Sequence, residues 1–407
     1  MIEFNPYAYE VHEDPYPLYA RLRAEAPVHR NEALDFWTLA RHADVLAAFK
    51  DTRRFSNRFG VSIDPASYGP HARLGTSFLA TDPPEHTRMR GLVSRGFTPR
   101  RVRALAPRIR ELAVAHLDRL VGAGRFDIVT DFAGRLPMDV ISEMLGVPEA
   151  DRDTLRGWAD LLVHREEGVM DVPPEGAAAF GQLRGYFREL LADRRRRPGP
   201  DLLSALLALQ DGDPDSNPDS NPGSNRGEAG DFLSDSELLG FCNLMVVAGN
   251  ETTTKLIANA LYWLDRHPDQ RARVAADPGC IPQWVEETLR YDNSTQMLVR
   301  TLSEDVEMGG QLLEKDARVL LLVGSANRDE RVFERADAYD LERDCSRMLS
   351  FGQGTHFCLG ASLARLEGAI ALDEWWRRFP DYRIERDAAV RVHSVNVRGF
   401  AKLPVSV

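Results

Sequence analysis

Residues 351–360 of this chain read Phe-Gly-Gln-Gly-Thr-His-Phe-Cys-Leu-Gly, and the helix-forming run of residues 361–367 follows directly. The cysteine of this loop, Cys358, therefore stands just before a helix. Unpaired N–H groups and the positive end of the helix dipole at such a position favour the thiolate form of cysteine. The glycines around Cys358 let the backbone approach a flat, bulky group without clashes of Cβ atoms. The loop thus indicates a thiolate that faces a large planar ligand.

Three interpretations of Cys358 follow from its surroundings. A thiolate in such a loop suits axial ligation of a haem iron, where it favours cleavage of the O–O bond, and His356 could donate a hydrogen bond to a carboxylate of the same group. A lone cysteine more often has only a structural role in the core, but the surrounding phenylalanine, glycine and histidine residues disfavour that reading. Zinc bound by His356 and Cys358 is disfavoured because no further cysteine or histidine pair stands at ligand spacing.

Length and composition bound the class of protein. The 407 residues show no break in composition, so we expect one large domain over residues 1–407. The net charge of −11, from 51 basic and 62 acidic residues, disfavours nucleic acid as the main partner. No signal peptide or membrane span is recognisable, and the four cysteines form no C-x-x-C pair. These features predict a reduced, cytoplasmic protein that does not bind membranes.

Periodicity predicts a mostly α-helical protein with small β-sheets and a long central helix. A capping box at residues 234–237 opens an apolar helical pattern that ends at His267-Pro268, so this helix should cross the interior. Further helices are predicted at residues 14–25, 84–120, 136–146, 151–164, 177–197, 282–291 and 361–379, and strands at residues 36–40, 299–301, 306–308 and 318–322. Loops are predicted at residues 60–77 and 165–176, and the polar repeat within residues 211–231 predicts a disordered surface loop.

The middle of the long helix carries polar residues in an apolar context. Residues 248–253 read Ala-Gly-Asn-Glu-Thr-Thr, and such a local conflict often marks function. Gly249 leaves room for a ligand against the helix, and Thr252 can hydrogen-bond a carbonyl one turn back and open the helix to water. Glu251 can supply protons if it reaches solvent. The alternative is a simple helix kink with packed threonines.

Taken together, the cysteine loop and the motif at residues 248–253 resemble the cytochrome P450 family, and the resemblance covers essentially the whole chain. It implies the cytochrome P450 fold, with Cys358 as the axial ligand of the iron of haem b. It also implies catalytic roles for Glu251 and Thr252, as the acid–alcohol pair that activates oxygen. Four more residues would contact the haem, namely Ala248, Gly249, Phe351 and Gly352.

Two sets of charged residues match further motifs of the family. Glu287 and Arg290 lie on one helical face and match the E-x-x-R motif, which implies a structural role near the cysteine side of the haem. His86 and Arg90 also share a helical face. By the resemblance, the haem propionates are bound by His86, Arg90, Arg300 and His356.

The resemblance implies a monooxygenase that inserts one oxygen atom of O2 into a C–H bond of an apolar small molecule. No reductase segment is recognisable, so electrons would come from a ferredoxin-type iron–sulfur protein and its reductase, as in the soluble bacterial type of secondary metabolism. Their docking site is predicted as a basic patch near Cys358 formed by Arg90, Arg100, Arg101, Arg103 and Arg365. A peroxygenase that uses H2O2 and a non-catalytic haem-binding protein are the alternatives, and neither would need both Glu251 and Thr252.

Overall fold

The computed structural model describes residues 2–210 and 232–407, and the predicted disordered loop at residues 211–231 lies outside them. The helices are α1 (Tyr9–Glu13), α2 (Tyr16–Glu25), α3 (His42–Lys50), α4 (Arg73–Thr76), α5 (Glu85–Ser94), α6 (Pro99–Ala104), α7 (Ala106–Asp118), α8 (Arg135–Leu145), α9 (Arg152–Val163), α10 (Pro174–Arg196), α11 (Leu202–Gln210), α12 (Asp235–Arg266), α13 (Pro268–Ala276), α14 (Ile281–Tyr291), α15 (Val323–Ala326) and α16 (Ala361–Arg378). The prediction of a mostly α-helical protein with small β-sheets is confirmed.

The strands are short and form small sheets. They are β1 (Val28–Asn31), β2 (Phe36–Leu39), β3 (Phe55–Ser56), β4 (Arg125–Asp127), β5 (Met297–Leu302), β6 (Val306–Met308), β7 (Gln311–Leu313), β8 (Arg318–Leu322), β9 (Arg383–Ile384), β10 (Val390–Arg391), β11 (Phe400–Lys402) and β12 (Pro404–Ser406). The largest sheet has the order β1-β2-β8-β5-β3, in which only β2 and β8 run parallel. Arg300 stands in β5 opposite Val319 of β8, so a central strand of this sheet fixes its backbone.

Helix α12 is the long central helix that the sequence predicts. Its capping box is formed, since Ser234 Oγ accepts from the Glu237 N–H at 3.3 Å and the Ser234 N–H donates to Glu237 Oε2 at 2.7 Å. The helix packs against α4, α8, α9, α14 and α16, and most of its residues are buried. Within the described residues, no helix is both long enough and apolar enough to cross a membrane.

Two predicted loops differ from the structure, and the helical stretch predicted at residues 84–120 is divided into α5, α6 and α7. The loop at residues 60–77 contains the single helical turn α4. The connection predicted at residues 165–176 ends early because α10 begins at Pro174, a position where proline costs no hydrogen bond. Helix α11 is absent from the prediction. The largest buried apolar cluster contains residues between Phe78 and Val405. This continuity agrees with one domain over residues 1–407, which stays a prediction.

Candidate functional site

A large cavity lies between α12 and the loop of residues 351–360. Its empty space, including the open mouth, is about 1400 Å³, and most of its wall is apolar. Helix α12 contributes Ala248, Gly249 and Thr252 to this wall, and the loop contributes Phe351, Gly352, His356 and Cys358. Segments that are about a hundred positions apart in the sequence therefore line one space.

Hydrogen bonds within the loop hold the backbone of Cys358. The Cys358 N–H donates to the carbonyl of Phe351 at 2.9 Å, and the Phe357 N–H donates to the carbonyl of Gly354 at 3.1 Å. Gly354 has a φ of +71°, and a Cβ atom there would lie 3.0 Å from the carbonyl oxygen of Phe49 in α3. The room that this glycine provides is therefore used for packing on α3, whereas Gly352 lines the cavity as expected.

The thiol of Cys358 opens onto the cavity, but protein surrounds most of it. Burial raises its pKa, although the N–H groups of Gly360 and Ala361 and the guanidinium groups of Arg90 and Arg365 act in the opposite direction. The N–H groups at the helix start thus favour the thiolate in the direction that the sequence predicts, but desolvation of the thiol outweighs them. A bound metal ion would deprotonate the thiol.

Four predicted site residues meet at one edge of the site. The rings of His86 and His356 have centroids 4.1 Å apart, and no ring nitrogen of either has a hydrogen-bond partner among the described residues. The Thr81 backbone is near His356 without hydrogen-bond geometry. Burial first, and then the positive charge of Arg90, lowers the pKa of His86 to about 4. These imidazoles are therefore neutral donors that lack an acceptor.

The two arginines of this group are also without a carboxylate partner. Arg90 donates to the carbonyl of Phe357 at 2.5 Å, and Arg300 donates to the carbonyl of Val299 at 2.8 Å. Burial lowers the pKa of Arg300 to about 10, opposed by the charge of Asp82. No carboxylate of the described residues forms an ion pair with either arginine within 4 Å.

The arrangement fits a haem group. Buried donors without acceptors are costly unless a ligand supplies the acceptor, and the propionates of haem are anionic acceptors of this kind. We name four residues the propionate cluster: His86, Arg90, Arg300 and His356. Three of them line the apolar cavity together with Cys358, and the fourth, His86, does not line it but packs against the ring of His356. Among the described residues, no group of three or more histidine, cysteine or acidic side chains could hold a metal ion.

The motif of α12 has the predicted hydroxyl geometry. Thr252 Oγ1 donates to the carbonyl of Ala248 at 2.7 Å, and Ser294 Oγ donates to the carbonyl of Thr252 at 2.7 Å. A Cβ atom on Gly249 would lie 2.7 Å from Ile141 Cγ1, so this glycine accommodates a side chain of α8 as well as lining the cavity. Ser294, which the sequence did not single out, supports the same turn of the helix.

Glu251 is buried with 1% of its side chain exposed, and it is not among the residues that line the cavity. Its Oε2 lies 3.2 Å from Lys255 Nζ, and its Oε1 accepts from Asn250 Nδ2 at 3.2 Å. Asp160 of α9 also lies beside Glu251. Lys255 could have been inferred from its i,i+4 spacing to Glu251, whereas Asp160 comes from another helix and leaves no signal in the sequence.

Glu287 and Arg290 form a buried network. Arg290 Nε and Nη2 donate to the two oxygens of Glu287, both at 2.7 Å. Its remaining donors reach the carbonyls of Asn327, Ala336 and Ala338 at 2.9–3.1 Å. The pair thereby joins α14 to the segment that precedes the cysteine loop, which agrees with a structural role.

Comparisons with known proteins identify the family. The cytochrome P450 family model matches residues 281–381. Putative cytochrome P450 123 of Mycobacterium tuberculosis (strain ATCC 25618 / H37Rv) is 52% identical over 404 residues, which covers 99% of this chain and 96% of that protein. Vitamin D(3) 25-hydroxylase of Pseudonocardia autotrophica is 39% identical over 402 residues, covering 97% of this chain and 94% of the relative.

A solved structure agrees with these relatives. The crystal structure of CYP109E1 from Bacillus megaterium in complex with testosterone superposes with a TM-score of 0.87 at 31% identity, over 98% of this chain and 99% of that one. Sequence and structure both match over nearly the full length, and the site geometry fits the haem iron that the family carries. The chain therefore belongs to the cytochrome P450 family of haem-dependent monooxygenases.

Proposed function

We propose that this protein is a haem b monooxygenase that inserts one oxygen atom of O2 into a C–H bond of an apolar small molecule. The observation that carries the proposal is that Cys358 and Thr252 line the same apolar cavity. The bound haem would supply the oxidation chemistry, and the protein would supply ligation, orientation and protons. One oxygen atom enters the product and the other leaves as water, so the reaction consumes two electrons and two protons.

The residues of the chain divide these tasks. Cys358 would ligate the iron, and the propionate cluster would hold the two carboxylates of the haem. Ala248, Gly249, Phe351 and Gly352 would contact the haem face from their positions on the cavity wall. The apolar wall excludes water from the reacting groups, and a water-poor site strengthens their electrostatic interactions.

Protons would reach the site through the turn of α12 that carries Glu251 and Thr252. The Thr252 hydroxyl lines the cavity and already bonds to the carbonyl of Ala248, so it can present a proton to the cavity when that bond exchanges. Glu251, its neighbour, is the nearest acid on the same helix. A peroxygenase, which receives its protons with H2O2, and a passive haem carrier would need neither group.

The substrate is proposed as an apolar small molecule of about the size of a steroid. One relative is a vitamin D(3) 25-hydroxylase, and one similar structure was solved in complex with testosterone. The wall of the cavity here is mostly apolar, with a polar segment at Asn293, Ser294 and Thr295. Vitamin D3 and testosterone are therefore the first molecules to screen by the change that substrate causes in the haem absorption spectrum.

The electron donor is proposed as a ferredoxin-type protein that docks on an arginine patch, defined here as Arg100, Arg101 and Arg103. These residues of α6 are exposed, and α6 packs on α16, the helix that follows the cysteine loop. Arg365 is not counted in the patch, because it forms a bidentate ion pair with Glu286 at 2.6 and 3.0 Å. Arg90 is not counted either, because it donates to the carbonyl of Phe357 in the cysteine loop.

The proposal is tested with two variants of the holoenzyme. Cys358→Ser should lose the red-shifted absorption of the reduced CO complex, because that shift requires a thiolate ligand. Thr252→Ala should keep haem and substrate binding but divert electrons from product to peroxide, because delivery of protons to the cavity fails. A Thr254→Ala variant is the matched control, because Thr254 stands in the same turn of α12 but does not line this cavity. An unchanged CO spectrum in Cys358→Ser, or full coupling in Thr252→Ala, would contradict the proposal.

A further inference from the structure

The segment of residues 292–296, which joins α14 to β5, is tied to α12 at more than one point along that helix. Asn259 Nδ2, near the end of α12, donates to the carbonyl of Asp292 at 2.9 Å. A second contact lies at the middle of the helix, where Ser294 Oγ donates to the carbonyl of Thr252 at 2.7 Å. The segment therefore contacts the turn of α12 that borders the large cavity.

Ser294 is itself held in place by the C-terminal part of the chain. Its carbonyl accepts from the Arg398 N–H at 2.7 Å, and the Gln296 N–H donates to the carbonyl of Asn396 at 2.8 Å. The side chain of Arg398 donates in turn to Asp292 Oδ1 at 2.7 Å. Ser294 is 6% exposed, and hydrogen bonds that are shielded from water are stronger than exposed ones. Ser294 is thus a fixed point beside α12.

Two hydrogen bonds meet at Thr252, and both act on the shape of the helix. The Thr252 hydroxyl donates to the carbonyl of Ala248 at 2.7 Å, and a threonine that bonds one turn back tends to bend its helix. A side chain that enters the backbone ladder of a helix also bends it, and Ser294 contacts that ladder at the Thr252 carbonyl. One of the two bonds therefore comes from outside α12.

We infer that Ser294 is a positioning residue for the reaction, which acts by holding the turn of α12 that carries Thr252. The bond to the Thr252 carbonyl also fixes the hydroxyl of the same residue relative to the cavity that both residues line. A small displacement of a reacting group lowers the rate strongly, so the position of this hydroxyl matters. The inference rests on the proposed function, to which it adds a residue from outside the central helix.

The first test needs no substrate, and it uses the infrared band of CO bound to the reduced holoenzyme. This band responds to polar groups near the bound CO, such as the Thr252 hydroxyl. Ser294→Ala should shift and broaden the band, because the hydroxyl is no longer held in one position. Ser294→Thr keeps a hydroxyl on Cβ and should restore the wild-type band. A wild-type band in Ser294→Ala would overturn the inference.

A double variant tests whether Ser294 acts through Thr252. Ser294 also lines the cavity, so its own hydroxyl could affect the CO band directly. In a Thr252→Ala background the carbonyl of residue 252 remains but its side-chain hydroxyl is gone, so adding Ser294→Ala should leave the band of Thr252→Ala unchanged. A further change of the band in the double variant would show a direct effect and would overturn the positioning role.

The second test is turnover with testosterone or vitamin D3, whichever of the two changes the haem spectrum. Ser294→Ala should raise the ratio of peroxide to product about 2- to 10-fold, the range that one hydrogen bond controls. Ser294→Thr should return this ratio to the wild-type value. Normal coupling in Ser294→Ala beside uncoupling in Thr252→Ala would overturn the inference alone, whereas normal coupling in Thr252→Ala would contradict the proposed function.

The matched control is Asn259→Ala, which removes a contact between the same segment and α12 away from Thr252. Because Asn259 is buried, this variant should lower the thermal midpoint, but the CO band and the ratio of peroxide to product should stay as in the wild type. If both readouts changed in Asn259→Ala as much as in Ser294→Ala, a general loosening of the segment would explain them, and the specific role of Ser294 would be refuted.

Discussion

Replacement of Arg300 by leucine should weaken retention of the haem without unfolding the protein. Arg300 is 3% exposed, and its one hydrogen bond within the described residues goes to the carbonyl of Val299. Burial lowers its pKa from 12.5 to about 10, so the fold disfavours the charged guanidinium. At 1.36 kcal/mol per pH unit this corresponds to about 3 kcal/mol. A haem propionate beside Arg300 would offset that cost.

The expected loss follows from the interaction that leucine cannot make. A hydrogen bond to a charged group contributes about 1.5–3 kcal/mol, so Arg300→Leu should weaken haem binding about 10- to 100-fold. Apart from the stability lost with haem binding, the free energy of unfolding should change little, because the variant removes an uncompensated charge together with one hydrogen bond to a backbone carbonyl.

Arg398→Leu is the matched control, because Arg398 is also buried but has a carboxylate partner. Its Nε donates to Asp292 Oδ1 at 2.7 Å, and the charge of Asp292 raises the pKa of Arg398 in spite of burial. Leucine there would remove the nearer ion-pair partner of the buried Asp292 and leave Arg391, at 3.5 Å, as the other, at a cost of about 3 kcal/mol in the free energy of unfolding.

Two measurements separate the variants. Haem transfer to an excess of a haem-binding acceptor, followed by absorbance, should be faster for Arg300→Leu alone. Thermal unfolding of the holoenzyme followed by circular dichroism should shift more for Arg398→Leu, because the shift for Arg300→Leu comes only from weaker haem binding. Wild-type haem retention in Arg300→Leu, or a shift of its unfolding as large as that of Arg398→Leu, would refute the reasoning.

Two further predictions concern the core and the surface. Arg290→Lys should lower the thermal midpoint of the holoenzyme by about 3–5 °C, because lysine cannot replace the five donors of Arg290. Breaking a buried ion pair costs about 3–5 kcal/mol, and the midpoint of a chain of this length shifts by about 1 °C per kcal/mol. Arg53→Lys, in an ion pair whose arginine is 73% exposed, is the control, and equal shifts would contradict the argument. Arg103→Glu should slow reduction by a ferredoxin and flatten the salt dependence of that rate, while substrate binding is unchanged. The control is Arg197→Glu, which changes another exposed arginine. Stopped-flow reduction rates that are equal for both variants would exclude the arginine patch as the docking site.

The elements that could be predicted are those with a strong local signal. The capping box at residues 234–237 and an unbroken apolar period define α12 to within one residue of its observed start. The strand at residues 318–322 likewise has the predicted bounds, since it is a short apolar run of β-formers. Helix α11 was missed although Asp201, directly before Leu202, caps it by accepting from the Ser204 N–H at 2.8 Å. A single capping residue before so short a helix is a weak signal beside the unbroken period of α12.

The candidate site could be predicted as a set of residues but not as a geometry. The family resemblance selects Cys358 and Glu251. Cys358 lines the cavity, and Glu251 is buried in α12 beside residues that line it. The sequence predicts neither the raised pKa of the thiol nor the contact between Glu251 and Asp160. Both depend on the distance between segments far apart in the chain, and the number of residues between them does not fix that distance.

Arg290 and Arg300 illustrate why a charged residue cannot be assigned to structure or to ligand binding from its motif alone. Both are buried arginines near the site, and both match family motifs. The chain itself satisfies Arg290, through Glu287 and three backbone carbonyls, so any ligand would have to compete with the core for it. Arg300 bonds to a single carbonyl, so most of its donors remain for an anion that the described part of the chain does not supply. The number of donors that the fold leaves unpaired, rather than burial or motif, therefore separates the arginine that holds the fold from the one that holds the cofactor.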